Sequence, residues 1–184
     1  SEKVSDCWFA GIGNIEVMRV SQPCRIMPDR LLRGMSSQIN EIVPPVVDGT
    51  VLVSVNNLPP KGGAEYAVFT NAEPVAQIGG TIFVYRGRFE MPVASALSRV
   101  IRSSQFLRLK RFDEAIAEGR AAVEIAPEDA RTHLSLAFAF LRAVRQAEAR
   151  SEFEAVIEAS KTSPTQFRTQ EVIARRELEL LDQP

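Results

Sequence analysis

The second half of this chain repeats itself. Phe112-Asp113-Glu114-Ala115 aligns with Gln146-Ala147-Glu148-Ala149 at a displacement of 34 residues, since 149 − 115 = 34. A fixed period of this size marks a chain built from stacked supersecondary units, each needing a neighbour to bury its apolar face. Composition places the start of these units. Sixteen alanines lie from residue 91 onward and five before it, whereas nine of the ten glycines precede residue 88. Alanine favours helix, and Gly with Pro punctuates strands and turns. The prediction is therefore an α/β region over 1–90 followed by an α-helical region over 91–184. No Ser/Gly-rich or charged spacer separates them at Met91-Pro92, so the two are expected to pack together rather than swing on a linker.

With Pro127 at repeat position 32, Phe106 falls at position 11, Ala115 at 20 and Ala122 at 27. In the next unit Leu136, Ala137, Phe140, Ala149 and Phe153 fall at positions 7, 8, 11, 20 and 24. This pattern resembles the tetratricopeptide repeat (TPR) over about residues 94–162. The resemblance implies two hairpins of antiparallel helices. Small residues at positions 8 and 20 let helices approach, and large ones at 11 and 24 fill the space between them. The first unit departs from the pattern: Arg102 and Ser103 replace Leu-Gly, and Gly119 stands where a large residue belongs. The plainer alternative is a pair of ordinary helical hairpins with coincidental spacing. A last helix is predicted from Pro164 to Leu181, with Ser163 as its cap and Pro164 at its first position. Its Phe167, Val172, Ile173, Leu178 and Leu181 would close the stack. Two units and a cap are fewer than usually stand alone, which makes the α/β region the expected neighbour.

Three apolar runs in the first half read as strands: Cys7 to Ile12, Thr50 to Val55, and Thr81 to Tyr85. They are nearly continuous rather than alternating, as in strands covered on both faces. Helix-like content over Ala64 to Gln77, ending before Gly79-Gly80, predicts a right-handed parallel βαβ unit between the second and third strands. A further helix is predicted over Asp29 to Val43, stopped by Pro44-Pro45. The expected product is a small three-stranded, parallel sheet carrying helices, followed by TPR-like hairpins and a capping helix.

The string Glu73-Pro74-Val75-Ala76-Gln77-Ile78-Gly79-Gly80-Thr81-Ile82-Phe83-Val84-Tyr85 resembles the C-terminal region of bacterial dolichyl-phosphate-mannose–protein mannosyltransferase-like membrane glycosyltransferases. Trp8-Phe9-Ala10 leading to Gly13, and Val51 to Val55 followed by Asn56-Asn57-Leu58, fit the same region, so the resemblance covers about residues 5–88. It implies a soluble extracytoplasmic tail of a longer chain whose transferase core is a bundle of membrane helices using a polyprenyl-phosphate sugar. The catalytic carboxylates of that family lie far upstream, so none is carried onto a position here.

Charge excludes some partners. Basic and acidic residues number 22 and 23, giving 22 − 23 = −1, without the basic stripe that nucleic acid requires. One His and two Cys are too few for a four-ligand zinc site. No apolar run approaches the roughly 20 residues that span a bilayer, and no leader-like pattern opens at Ser1. Gly11-Ile12-Gly13 places Glu16 where a dinucleotide fingerprint needs its third glycine, so a tight turn is the better reading. Pro59-Pro60-Lys61-Gly62-Gly63 lacks the spacing of a phosphate loop. His133, the sole histidine, falls at repeat position 4, a packing position, and lacks the partners of a catalytic base. No catalytic residue, cofactor or metal is expected. Cys7 and Cys24 can bridge if the chain faces an oxidising compartment; alternatively Cys7 is a buried thiol acting as a small hydrophobe.

The candidate partner site comes from the groove-facing positions of the repeats. Arg131, Leu134, Phe138 and Arg142 in the second unit, with Arg108 in the first, would set arginines around an apolar strip suited to an acidic protein segment. The competing reading buries Leu134, Phe138 and Leu141 and leaves the arginines to solvate a helix face. Three functions follow. The chain is a non-catalytic accessory domain of a membrane glycosyltransferase, docking a protein partner or another part of its own chain. It is a free TPR adaptor, in which case cytoplasmic. Or it is an extracytoplasmic sugar- or lipid-headgroup-binding module using Asn56 and Asn57 beyond a strand end.

Overall fold

The computed structural model describes residues 7–11, 24–28, 41–58 and 63–183. The chain forms two compact units, Ser1–Ser98 and Arg99–Pro184. The elements of the first are β1 (Cys7–Ala10), β2 (Arg25–Ile26), β3 (Val46–Ser54), a 3-10 helix (Ala64–Thr70), β4 (Ala76–Ile78) and β5 (Ile82–Glu90). Helix α1 (Pro92–Arg108) follows, and then α2 (Phe112–Ile125), α3 (Ala130–Arg142), α4 (Gln146–Ser160) and α5 (Pro164–Leu181). The break between units falls within α1, a few residues later than the junction read at Met91-Pro92. No helix among the described residues is long and apolar enough to cross a membrane.

The sheet corrects the expectation of three parallel strands. It has five, in the order β2-β1-β3-β5-β4, with β1 parallel to both β2 and β3 but β5 antiparallel to β3 and β4. The predicted crossover helix over Ala64 to Gln77 is also absent. Its first half is the 3-10 helix, and its end is strand β4. Gly79 and Gly80, read as a helix stop, instead both take positive φ, 55° and 71°, and turn the chain back from β4 into β5. A Gly-Gly pair serves a primed hairpin turn for the same reason that it ends a helix, because it carries no Cβ. Once β5 returns antiparallel, one of its faces can meet water: Arg86, Arg88 and Glu90 are exposed while Tyr85 is buried. The helix predicted over Asp29 to Val43 falls largely on residues 29–40, outside the described residues; Glu41 to Val43 are not helical.

Register explains the core of this unit. Trp8 and Ala10 pair with Val51 and Val53, which pair with Tyr85 and Phe83, so these side chains share one face. The 3-10 helix covers it. Phe69 lies 4.5 Å from the Tyr85 ring and 4.9 Å from Phe89, and the Tyr66 hydroxyl donates to the carbonyl of Pro28. Two-residue β2 is too short to hold itself by backbone pairing. It is held by the Cys7–Cys24 disulfide, with Cα atoms 4.6 Å apart, and by the Arg25 guanidinium 4.6 Å from the Trp8 ring.

The helical unit repeats its geometry, not only its residue types, every 34 positions. Helices α1 and α3 end alike. The amides of Lys110 and Arg111 donate to Leu107 and Phe106 at 3.0 and 2.9 Å, and those of Val144 and Arg145 to Leu141 and Phe140 at 3.1 and 2.9 Å. These are successive Schellman ends, with Lys110 at φ 58° and Val144 at φ 61° in the left-handed seat. Each following arginine closes on a glutamate, Arg111 on Glu114 and Arg145 on Glu148, both at 2.7 Å. Each also lies over the preceding helix's phenylalanine, at 4.6 Å for Arg111–Phe106 and 4.8 Å for Arg145–Phe140. Ala115 and Ala149 are both fully buried, as are Ala137 and Phe153. Ser103, at the small-residue position of the first unit, donates to the carbonyl of Ala115 at 2.9 Å. Gly119 is likewise no lapse, since a Cβ there would lie 3.2 Å from the Cα of Leu136. Helix α5 packs on α3 and α4 and buries Phe167 and Ala174. Pro164 takes its first turn, but the Ser163 hydroxyl makes no capping bond.

Two stability outcomes follow. Replacing both Cys7 and Cys24 by Ser, or reducing the bridge, is expected to destabilise the α/β unit by about 2–4 kcal/mol, the usual worth of such a cross-link, as read by chemical denaturation with and without reductant. Val144 is β-branched, 81% exposed and left-handed, which costs a non-glycine residue roughly 1–2 kcal/mol. Val144→Gly is therefore expected to raise the denaturation midpoint of the helical unit, and a lowered midpoint would contradict the strained-cap account.

Candidate functional site

A concavity of about 500 Å³ opens between α1 and α3, lined by Leu107, Arg108, Lys110, Phe112, Phe138 and Arg142 among others. Its floor is apolar and its rim cationic. Arg108 and Arg142 stand 34 residues apart, at the same point near the ends of equivalent helices, and both are exposed. Among the described residues neither they nor Lys110 make an ion pair or side-chain hydrogen bond. Phe138 lies half-buried, held edge-on against Phe153 with ring centroids 5.5 Å apart.

The five sequence-predicted residues separate here. Arg108, Phe138 and Arg142 line one concavity. Leu134 packs against the helical core and does not line the concavity, whereas Phe138 does both. Arg131 is drawn off by Asp129, the N-cap of α3. The Asp129 carboxylate accepts from the Arg131 backbone amide at 3.0 Å and from its guanidinium at 2.8 and 2.5 Å. The same guanidinium lies 5.9 Å from the Phe167 ring. Such a cap neutralises its own cation and leaves little charge for a partner. Lys110 was missed by the sequence reading because it lies past the end of α1. Its signal was the repeat itself, for Lys110 is the counterpart of Val144 in the left-handed seat.

His133 occupies a different place. Its Nδ1 lies 2.8 Å from the Glu152 carboxylate and its Nε2 2.9 Å from the Pro127 carbonyl. Both partners are acceptors, so only the doubly protonated ring satisfies both. The Glu152 hydrogen bond raises the His133 pKa above its usual 6.5, burial opposes this, and the Pro127 carbonyl adds to the rise. One repeat earlier the same position carries Arg99, 2.8 Å from Glu118. The ring therefore does structural work that an arginine does elsewhere, binding α3 to α4. Glu114 and Glu148, bonded by Arg111 and Arg145, are held below the ordinary carboxylate value.

Asn56 is exposed and Asn57 buried in the turn after β3. Among the described residues, no group of three His, Cys, Asp or Glu is placed to hold a metal ion. No family model, curated protein or solved structure matches the chain.

The His133–Glu152 pair sets a pH dependence with a definite sign. A raised folded-state pKa stabilises fully below the unfolded value of 6.5, and that stabilisation is lost as pH rises through the folded value. Stability of the helical unit is expected to fall as pH climbs from about 6 past the raised value. His133→Arg should flatten that dependence, read from urea midpoints across the range; an unchanged slope in the variant would assign it elsewhere.

Proposed function

We propose that the chain is a non-catalytic interaction module, and that its helical unit docks an acidic segment of a protein in the concavity between α1 and α3. The observation that carries this reading is the pairing of an apolar floor with the uncompensated Arg108, Lys110 and Arg142. Unspent cations around a half-buried aromatic strip favour carboxylates, because a charge-assisted bond gains most where water is partly excluded. The 34-residue recurrence of caps, ion pairs and buried alanines supports reading the helices as TPR-like hairpins, a scaffold whose repeated helices form extended concave surfaces.

The setting is part of the same proposal. The resemblance of residues 5–88 to the tail of membrane glycosyltransferases points to an accessory domain on the extracytoplasmic face of a bacterial membrane. The Cys7–Cys24 bridge supports an oxidising compartment, since disulfides are rare in reducing ones. The occupant of the groove is then a protein partner or an acidic stretch of the same longer chain.

A panel of fluorescent acidic and neutral peptides tests this by fluorescence anisotropy. Acidic peptides are expected to bind with salt-sensitive affinity. The double reversal Arg108→Glu/Arg142→Glu should weaken them at least about tenfold, given roughly 1.5–3 kcal/mol for a hydrogen bond to a charged group. Equal binding of neutral peptides, or an unaffected double variant, would remove the docking role.

A further inference from the structure

The arginines of the concavity belong to a longer series. Carrying the 34-residue step once more from Arg108 and Arg142 reaches Arg176, on α5. It too is exposed, and among the described residues it makes no ion pair. The step from Phe138 reaches Val172, which is 60% exposed, too open for a core residue and apolar at a place where a solvated helix would carry a polar one. Charge on this face is sorted rather than scattered. At repeat positions 9, 12 and 13 the three helices carry Ser104, Leu107, Arg108, then Phe138, Leu141, Arg142, then Val172, Arg175, Arg176, without a single acid. Arg175 is neutralised by Glu171 at 2.7 Å. At these positions Arg108, Arg142 and Arg176 therefore remain as one uncompensated cation per helix, with the exposed Arg168 a further cation at position 5 of α5, in a chain whose total charge is near zero.

Packed helices lie about 8–10 Å apart, and we take that interval for the three guanidinium groups as the premise of the spacing that follows. A polyproline-II chain completes a turn in three residues, advancing about 3.1 Å each, or about 9.3 Å per turn. Its residues i, i+3 and i+6 point the same way at nearly the spacing of the helices. We propose that this face binds an extended acidic peptide carrying carboxylates at every third residue, one each for Arg108, Arg142 and Arg176. Apolar side chains between them rest on Phe138 and Val172. The inference rests on the docking reading above and adds Arg176, Val172 and the three-residue spacing.

The test uses end-blocked, labelled peptides of one composition, with three glutamates spaced by two, three or four residues among Leu, Val and Pro. They are titrated by fluorescence anisotropy into the intact chain and into single variants Arg108→Glu, Arg142→Glu and Arg176→Glu. Arg86→Glu, on exposed β5, is the control. The three-residue spacing is expected to bind at least about fivefold more tightly than the other two. Each of the three reversals should cost about tenfold, and the control none. Circular dichroism checks that the variants fold, and Arg176→Gln, which keeps the helix and removes the charge, should fall between wild type and reversal. Two outcomes overturn the ladder while leaving the groove: equal affinity at all spacings, or binding that depends on Arg108 and Arg142 but not Arg176. Failure of every peptide at every spacing overturns the docking reading as well, as does binding confined to vesicles of phosphatidylglycerol.

Discussion

Backbone contact between helices is the constraint on which the helical unit depends. Ala115, Ala137 and Ala149 have no accessible surface, and the Ser103 hydroxyl reaches the carbonyl of Ala115 at 2.9 Å. Only small side chains allow such an approach, and a larger one at any of these places would push apart helices whose contact buries Phe153 and Val156 completely. Gly119 extends the same logic. What reads in sequence as a missing large residue is where α2 comes within reach of the Leu136 backbone, so the first unit closes by approach where the second closes by filling with Phe153.

Tight, regular stacking fixes the ends of helices as firmly as their middles. The paired Schellman ends, the Arg–Glu closures and the arginine–phenylalanine contacts all recur at one step. Residues standing just before those ends are thereby delivered to the same side of successive helices. Arg108 and Arg142 share a face for that reason, and their exposure follows from position rather than from any local attraction. By contrast, Arg131 begins its helix beside the capping Asp129, and the cap takes its charge. Two arginines of the same groove-facing set thus have opposite fates, decided by which end of the helix they occupy.

Much of the helical unit was legible beforehand because period and residue size act locally. The 34-residue step, the small residues at the crossings and the Pro164 start all appear in the structure where the sequence places them. The ends of α1 and α3 were harder to read, since Lys110 and Val144 hold a seat that glycine usually marks. The sheet was misread for a related reason. Gly79-Gly80 is compatible with both a helix end and a hairpin, and Ala64 to Phe69 has helical content too short to cross a sheet. Pairing partners decided the matter, and those lie far away in sequence. Of the candidate site, Arg108, Phe138 and Arg142 followed from repeat position alone. Arg131 did not, because its ion pair depends on the cap two residues earlier; Lys110 needed the helix end to be matched with that at Val144, and Arg176 needed the repeat to be carried onto the last helix.

Chemical-shift mapping by amide NMR during titration with an acidic peptide tests the central claim most directly. The account predicts shifts concentrated in three stretches one repeat apart, around residues 104–110, 138–144 and 172–176, with β1 to β5 unmoved. Shifts centred instead on the outer surfaces of α2 and α4, or on the sheet, would contradict it.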